Sequence, residues 1–348
     1  MELQDAIRFS KARIATELFS AGSILSVYSL ATSFLVGFLA LAYLRRKRRG
    51  RPGFRAIARA IYAKRNILTH ESFVADVKLF VLSTIFMPVI VAALVVSTAT
   101  VSNGVHMLLQ GAFGPIEPGT GHDGAIRLIS TVVLFLAYEI GYWVDHWLKH
   151  RVPLLWSFHR LHHTAEVLTP LTNFRNHPID SIVFGYMLAM FIGGASGLLA
   201  WLFDGNVHSY SVDGKNILFI VFLWTIGHLQ HSQLWIPFSG RWGRLVLSPA
   251  HHQIHHSNDP RHYNRNFGSV LAIWDGFFGT LEIPSPENPR LAYGAAGPDE
   301  DPHSTTGILV APVIDGAREI ARLLTGAVHA LTNICLSTAN RLGGRRHG

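Results

Sequence analysis

Residues 145–163 read DHWLKHRVPLLWSFHRLHH, and residues 248–257 read SPAHHQIHHS. Both stretches carry histidines at helical spacings: His146, His150, His159, His162 and His163 in the first, and His252, His255 and His256 in the second. Side chains three or four residues apart on a helix share one face and lie about 5–6 Å from each other. Each HxxHH set is therefore predicted to aim several imidazoles at one point.

A further pair, His228 and His231, lies between these stretches. Imidazole is a good ligand for iron, copper, zinc and nickel. The set of ten histidines exceeds the capacity of one ion, since zinc takes about four ligands and iron up to about six. The sequence therefore predicts two metal ions. Because Cys335 is the only cysteine, a Cys-ligated zinc site and an iron–sulfur cluster are excluded.

Two other classes of metal enzyme lack their signatures here. A di-iron carboxylate site in a helical bundle needs Glu-xx-His pairs, and neither histidine stretch contains one. A zinc peptidase needs H-E-x-x-H, but Trp147, Arg160 and Gln253 follow the first histidines of the three sets. The remaining class is a site in which histidines alone hold two metal ions.

The composition is that of a membrane protein, because mean hydropathy is +0.26 and only 15% of the residues are charged. Apolar runs near the roughly 20 residues that cross a bilayer predict four spans and a probable-length fifth. The predicted spans are residues 22–44, 77–101, 126–144, 181–203 and 217–237. The small residues of GGASG, within 181–203, are expected to let helices approach closely. The predicted fold class is an all-α, multi-pass transmembrane bundle with a cytoplasmic helical cap that carries the metal pair.

The net charge of +8 is concentrated in residues 45–65, which contain no acidic residue and follow an apolar run. This pattern marks a cytoplasmic loop and disfavours a nucleic-acid partner. Alternation of the spans then makes 145–180 and 238–348 cytoplasmic, with 102–125 and 204–216 on the other side. The first 19 residues mix both signs of charge and do not resemble a signal peptide.

Between about residues 138 and 281 the chain resembles the fatty acid hydroxylase/sterol desaturase superfamily of membrane di-iron enzymes. The resemblance lies in five motifs in family order: HWLKH, WSFHRLHHTAEVLTPLTNFRNHP, HSQLWIP, SPAHHQIHHS and NRNFGSVLAIWDGFFGT. It implies that the eight histidines of the two long stretches are catalytic metal ligands and that His231 and His228 complete the set. Members usually carry Asp and Arg where this chain has Glu139 and Trp147, and either member of the 228/231 pair is open to a supporting role.

The resemblance also implies two iron ions, O2 as co-substrate and electrons from an external donor such as a ferredoxin, a cytochrome or a reductase. Ligating imidazoles normally donate their other N–H to a carboxylate or carbonyl. Candidates for such support near the metals are Asp145, Glu166, His177, His262, Asn266 and Asp275. His177 precedes a proline and equally marks a helix boundary.

The expected function is hydroxylation of a lipid C–H bond at the inner membrane of a bacterium, with the site on the cytoplasmic face. Lipid desaturation at the same site is the second choice, and a histidine-rich metal transporter or a silent lipid-binding relative are weaker alternatives. The predicted domains are an N-terminal membrane helix with a basic loop (1–66), the catalytic membrane domain (67–285), and a linker with a C-terminal amphipathic helix (286–348). Residues 284–307, rich in Pro, Gly and charge, are predicted as a linker or irregular cap, and residues 313–336 as the amphipathic helix.

Overall fold

The computed structural model describes residues 3–49, 67–116, 123–205, 207–295 and 300–343. These residues are helical apart from irregular segments and one antiparallel hairpin, β1 (Ser211–Val212) and β2 (Lys215–Asn216). The helices are α1 (Leu3–Phe19), α2 (Val27–Arg49), α3 (Glu71–Leu94), α4 (Thr98–Phe113), α5 (Asp123–Arg151), α6 (Pro153–His163), α7 (Pro178–Leu202), α8 (Ile217–Gln230), α9 (Gly240–Leu245), α10 (Pro249–His255), α11 (Ile273–Phe278), α12 (Thr305–Leu309) and α13 (Ala311–Gly343). Short 3-10 turns cover Ile67–Thr69, Pro170–Phe174 and Pro260–His262. The mostly helical fold was predicted correctly.

Three helical segments are long and apolar enough to cross a bilayer: Glu71–Phe113, Asp123–Arg151 and Pro178–Leu202. The predicted spans at 22–44 and 217–237 correspond to the shorter apolar helices Val27–Tyr43 and Ile217–Gln230. Three of the five predicted spans thus contain a helix of sufficient length, and the other two stay predictions. Of the basic stretch at 45–65, residues 45–49 end α2 and the rest lies outside the described residues.

The predicted span at 77–101 is not one helix. Helix α3 ends at Leu94, Val95 is extended, and α4 begins at Thr98. The break has a local cause, because the Ser97 hydroxyl accepts the backbone N–H of Thr100 and caps a new helix. The segment 102–125, predicted to lie on the side opposite the cytoplasm, is consequently helical as far as Phe113. The length of an apolar run shows only its hydropathy, so it does not reveal a helix cap within the run.

Small residues bring α4 and α7 into close contact, as the GGASG segment predicted. A Cβ atom on Gly193 would lie 2.7 Å from the Cβ of Val101, and one on Gly197 would lie 2.5 Å from the carbonyl oxygen of Ser102. Gly194, on the other side of the helix, faces open space. The two inward glycines therefore set how closely these helices pack.

A buried guanidinium joins three parts of the chain near the site-bearing end of the bundle. Arg175 is fully buried and forms an ion pair of 2.9 Å with Asp76 of α3. It also donates to the carbonyl oxygen of Leu161 at the end of α6 and to Nδ1 of His303. These bonds hold α3, α6 and the C-terminal segment together.

The predicted linker at 284–307 packs against the rest of the protein where it is described. The backbone N–H of Ala295 donates to the carbonyl oxygen of His163 at 2.7 Å. The predicted amphipathic helix at 313–336 lies within α13, whose start packs on α6 through Gly316 and the Phe158 ring and through the Arg160–Asp315 ion pair. The large apolar side chains of α13 from Ile320 to Leu331 are exposed.

Candidate metal centre

Nine of the ten predicted histidines meet in two adjacent groups. One ring nitrogen from each member of a group lies within 4.8 Å of those of all the others. The first group is His146, His150, His159, His163 and His255. The second group is His162, His231, His252 and His256. Four separate parts of the chain supply them, namely the last turns of α5, helix α6, the residue after α8, and α10 with its C-cap.

Each HxxHH set serves both groups, so the prediction that each set aims at one point was wrong. Members four residues apart stay together, as His159 and His163 do in the first group and His252 and His256 do in the second. The middle members, His162 and His255, go to the opposite groups. The reason is helical geometry, because consecutive residues project about 100° apart around the axis, and the side chain at i+3 diverges from its neighbour at i+4.

Each of the two ligand-bearing helices begins with a proline, and α10 is also capped by a serine. Pro153 occupies the first turn of α6, and Pro249 that of α10. At α10 the Ser248 hydroxyl lies 2.7 Å from Nδ1 of His251 within a reciprocal capping box. His251 also donates from Nε2 to the carbonyl oxygen of Gly243. It therefore fixes the start of the helix that presents His252, His255 and His256.

The nitrogen spacings fit metal coordination. In the second group, Nε2 of His231 lies 3.0 Å from that of His252, 3.1 Å from that of His256 and 3.2 Å from that of His162. In the first group, Nε2 of His150 lies 3.1 Å from that of His163. Metal–nitrogen bonds of about 2.1 Å at right angles separate two ligand atoms by about 3.0 Å. Several unprotonated nitrogens facing each other this closely repel unless a cation lies between them.

The tautomers of two ligands are set by backbone carbonyls. Nδ1 of His146 donates to the carbonyl oxygen of Phe267, and Nδ1 of His255 donates to that of Arg265, both at 2.8 Å. A neutral ring with a proton on Nδ1 has a free lone pair on Nε2. In both residues Nε2 is buried and has no hydrogen-bond partner among the described residues. Orphaned buried acceptors of this kind are what a bound metal satisfies.

Burial keeps the rings in the neutral, ligating form. It lowers the pKa of His231 and of His255 to about 3. The pKa values of His162, His163, His252 and His256 are also well below the usual value, first because of burial and then because the rings crowd each other. At neutral pH these six rings are therefore uncharged and can act as ligands.

Asp275 and Asn266, two of the predicted supporting residues, organise the loop that supplies those carbonyls. The Asp275 carboxylate accepts the backbone N–H groups of Phe267 and Gly268 at 2.8 and 2.9 Å, and also the Trp143 indole N–H. Asn266 has a left-handed backbone with φ of 56°, and its side-chain amide donates to the carbonyl oxygen of His251. Both residues thus act on the metal ligands through the backbone.

A carboxylate that the sequence reasoning missed lies beside the first group. Oδ1 of Asp180, in the first turn of α7, is 3.4 Å from Nδ1 of His159. The same oxygen pairs with the buried ammonium of Lys149 at 3.0 Å, and Lys149 pairs with Asp145 at 2.7 Å. The sequence did contain a signal for this residue. His177-Pro178 marks the start of α7, and Asp180 is the acidic residue in its first turn.

His228 and three other predicted residues are placed outside both groups. Nε2 of His228 lies 3.0 Å from the Ser29 hydroxyl, because its ring faces α2. Glu166 lies 3.5 Å from Nε2 of His303. His177 caps α7 by accepting the backbone N–H of Ile179, so the helix-boundary alternative describes it. His262 lies 2.9 Å from the Ser257 hydroxyl.

Two cavities adjoin the histidines from different sides. One, of about 200 Å³, touches His146, His159, His162 and His231 and has Phe184, Phe219 and Phe222 in its wall. The other, of about 360 Å³, touches His150, His163, His255 and His256 and is lined by Trp156, Asn258 and Asn264. The two cavities share no histidine, so the ring layer separates the cavity walled by three phenylalanines, here called the aromatic cavity, from the one lined by Trp156, here called the Trp156 cavity.

Comparison with known proteins finds one matching family model and several lipid-related enzymes that resemble part of this chain. The fatty acid hydroxylase family model matches residues 131–280. An alkylglycerol monooxygenase of Danio rerio is 27% identical over 47% of this chain and 32% of its own length. A Delta(7)-sterol 5(6)-desaturase of Gibberella zeae is 30% identical, over 46% of this chain and 43% of its own length. An ornithine lipid hydroxylase of Rhizobium tropici is 29% identical, over 42% of this chain and 40% of its own length.

The chain thus spans about a third of the length of the monooxygenase and under half of the other two relatives. No solved structure matches it. Residues 131–280 contain every member of both histidine groups. This segment matches the fatty acid hydroxylase family, and its relatives include a sterol desaturase and a lipid hydroxylase, in agreement with the resemblance that the motifs indicated.

Proposed function

We propose that this protein is a membrane-bound di-iron oxygenase that hydroxylates a C–H bond of a lipid with O2 and external reductant. The observation that carries the proposal is the pair of buried histidine groups, whose ring nitrogens converge at ligand spacing. Two of the three relatives described above are named as a monooxygenase and a hydroxylase, and both act on lipids by name. The third relative is named as a desaturase, so loss of two hydrogens is the alternative product of the same site.

The donor set suits the proposed metal. Five imidazoles would hold one ion and four the other, and imidazole binds iron well. Both ions would keep a coordination position open, since iron takes up to about six ligands. When bound, the ions would supply the redox chemistry that lets O2 react with an unactivated C–H bond.

The protein itself positions the lipid and limits water. The aromatic cavity lies between α5, α7 and α8, and Tyr142 and Phe184 form an edge-to-face pair in its wall. Because α5 and α7 are apolar enough to cross a bilayer, a lipid would reach the cavity sideways from the membrane. His146, which touches this cavity, stays aimed by its bond to Phe267.

Electrons would come from a separate ferredoxin, cytochrome or reductase. We place that donor on the side of the Trp156 cavity, where the ring centroid of Trp156 lies 4.9 Å from that of His150. We propose that this side is the cytoplasmic face of a bacterial inner membrane. Residues 1–66 and 286–348 would flank the catalytic domain as membrane anchor and cap.

The test uses the full chain purified with its metal and mixed with cell lipids, O2 and a chemical reductant. The expected result is about two irons per chain, reductant-dependent O2 consumption, and lipids that gain one oxygen atom. His163→Ala is expected to abolish O2 consumption, whereas His329→Ala, on the exposed face of α13, is expected to preserve it. Metal transport into vesicles without O2 consumption would overturn the proposal in favour of a carrier. Lipids that lose two hydrogens would favour the desaturase.

A further inference from the structure

Helices α9 and α11 are joined side by side by their backbones. Val246, just after α9, and Leu271, just before α11, form an isolated antiparallel bridge. The backbone N–H of Ala272 also donates to the carbonyl oxygen of Leu245 at 3.0 Å. The end of α9 and the start of α11 are therefore fixed to each other, and the outward side chains of the two helices adjoin.

This pair of helices exposes large apolar side chains. Phe277 is 80% exposed and Trp242 is 70% exposed. The other exposed large apolar side chains on the two helices are those of Leu245, Ile273 and Phe278. Single apolar side chains are common at protein surfaces, but five on two adjoining six-residue helices indicate a contact with protein or lipid. We call these five residues the α9–α11 surface.

The α9–α11 surface is attached to a helix that is apolar enough to cross a bilayer. The Phe278 ring stacks on that of Trp143 in α5, with the ring centroids 4.2 Å apart, and Trp143 stacks in turn on Trp147. Both tryptophans lie toward the end of α5 that bears the predicted metal ligands. Tryptophan is enriched at the boundary between the hydrocarbon and the headgroups of a membrane. The ring stack therefore holds the surface at the level of that boundary.

Two arginines border the surface. Arg241 and Arg244 of α9 are exposed, and neither forms an ion pair with a residue that the structure describes. A guanidinium can bind a phosphate through two N–H groups at once. Apolar and aromatic side chains beside arginine are typical of segments that lie in the interface of a membrane with anionic lipids. A symmetric contact between two copies of this chain would instead bring the arginines of both copies together, which disfavours that occupant.

We propose that the α9–α11 surface docks on the bilayer that α5 crosses, with its five apolar side chains in the interface and Arg241 and Arg244 bound to lipid phosphates. The topology predicted from the sequence has all of residues 238–348 in the cytoplasm, whereas docking puts α9 and α11 at the lipid boundary. The inference needs only that α5 crosses a membrane, so it does not rest on the proposed reaction.

Docking would reach the candidate metal centre through hydrogen bonds that both helices make. In α9, the carbonyl oxygen of Gly243 accepts from Nε2 of His251, the residue that fixes the start of α10. In α11, the Asp275 carboxylate accepts the backbone N–H of Phe267, whose carbonyl oxygen orients His146. A bilayer that holds the two helices would therefore also steady the segments that present metal ligands.

The test places a fluorophore on single cysteines of the full chain, purified with its metal and held in lipid nanodiscs without O2 or reductant. Cys335→Ser removes the only native cysteine, and Phe277→Cys, Trp242→Cys or the control Arg261→Cys then adds one. Arg261 is 83% exposed and lies outside the surface. Compared with NBD at the control position, NBD at the other two positions is expected to be quenched about threefold more by phosphatidylcholine with a nitroxide on its acyl chain, and about threefold less by iodide.

The other possible results overturn the proposal. If iodide quenches the labels at positions 277 and 242 as strongly as the control label, the surface faces water. If both labels are protected from both quenchers, the surface is covered by protein, and a contact between copies takes the place of the membrane. Because the replaced side chains are largely exposed, the variants lose little packing, and each position tests the surface by itself.

A second measurement tests the arginines. Nanodiscs of phosphatidylcholine alone are compared with discs that also contain phosphatidylglycerol, and the label at position 277 is read in both. The anionic lipid is expected to increase quenching by the nitroxide lipid, and Arg241→Gln combined with Arg244→Gln is expected to abolish that increase. Arg261→Gln, the matched control, should keep it. The same increase in both variants would overturn the binding of phosphates by Arg241 and Arg244.

Discussion

Nδ1 of His146 donates to the carbonyl oxygen of Phe267 at 2.8 Å, across 121 residues of sequence. The orientation of a predicted metal ligand on α5 thus depends on a loop in the last part of the catalytic segment. That loop is held in turn by the carboxylate of Asp275, which accepts four hydrogen bonds from its surroundings.

Replacement of Asp275 by Asn is expected to weaken metal binding by about 10–100-fold, as loss of an outer hydrogen-bond partner does at other metal sites. An amide has one acceptor oxygen and two N–H donors, so it cannot serve the donors that surround Asp275. Metal retention during dialysis against a graded chelator series measures the change. Glu319→Gln on the exposed part of α13 is the control, and retention equal to the control would contradict the role of the loop.

The two histidines of the 228/231 pair are expected to behave differently. His231→Ala removes a ring whose Nε2 lies within 3.2 Å of three other ring nitrogens, so the chain should lose about half of its bound metal. His228→Ala removes a ring that contacts Ser29 instead, and the metal content should not change. Metal analysis of both purified variants checks this. Equal loss of metal from both would show that His228 is also a ligand.

Lys149→Met is expected to destabilise the protein by roughly 3–5 kcal/mol, because removal of one partner leaves buried charges uncompensated. Lys149 lies between Asp145 and Asp180 and is 3% exposed. A lower thermal midpoint in detergent would report the loss. Lys215→Met on the exposed hairpin is the matched control. An unchanged midpoint for Lys149→Met would mean that the carboxylates do not depend on the ammonium.

Gly197→Val is expected to destabilise the packing of α4 against α7 by about 1–3 kcal/mol or more, because the new side chain would overlap the Ser102 carbonyl. Gly194→Val, three residues earlier, adds the same atoms in open space and should be close to neutral. The thermal midpoints of the two variants are compared at equal detergent concentration. A larger loss at Gly194 would contradict the assigned helix face.

Acidification is expected to lower the stability of the contact between His303 and Arg175. Burial and the nearby guanidinium lower the pKa of His303 in the folded protein, and Nδ1 must stay unprotonated to accept from Arg175. The unfolded chain, with a histidine pKa of about 6.5, therefore binds more protons just below that pH, so stability falls as the pH drops.

His303→Gln keeps an acceptor but cannot titrate, so its thermal midpoint should fall less between pH 7.5 and pH 5.5 than that of the unchanged chain. His329→Gln alters an exposed histidine and should retain the full pH dependence. A variant at position 303 with the same pH dependence as the unchanged chain would assign the effect to other groups.

Local spacing in the sequence was enough to predict the mostly helical fold, the apolar helices and most of the histidines that converge. Apolar run lengths identified helices that the structure also contains, and histidines at i, i+3 and i+4 identified nine of the residues that converge. These features depend on covalent neighbours and helical geometry, which a single sequence displays directly. The break at Val95–Ser97 was missed because a hydropathy window averages over a short capping signal.

The tertiary structure alone decided how the histidines divide into two groups and which carbonyls orient them. Phe267, Arg265 and Asp180 reach their histidines across gaps of 10 to 121 residues, and backbone carbonyls carry no residue identity that a sequence reader can search for. The sequence also did not determine the position of His228. It lies three residues before His231, but its ring faces α2, whereas that of His231 faces the other histidines. Contacts between distant segments depend on how helices pack, and spacing along one chain does not contain that information.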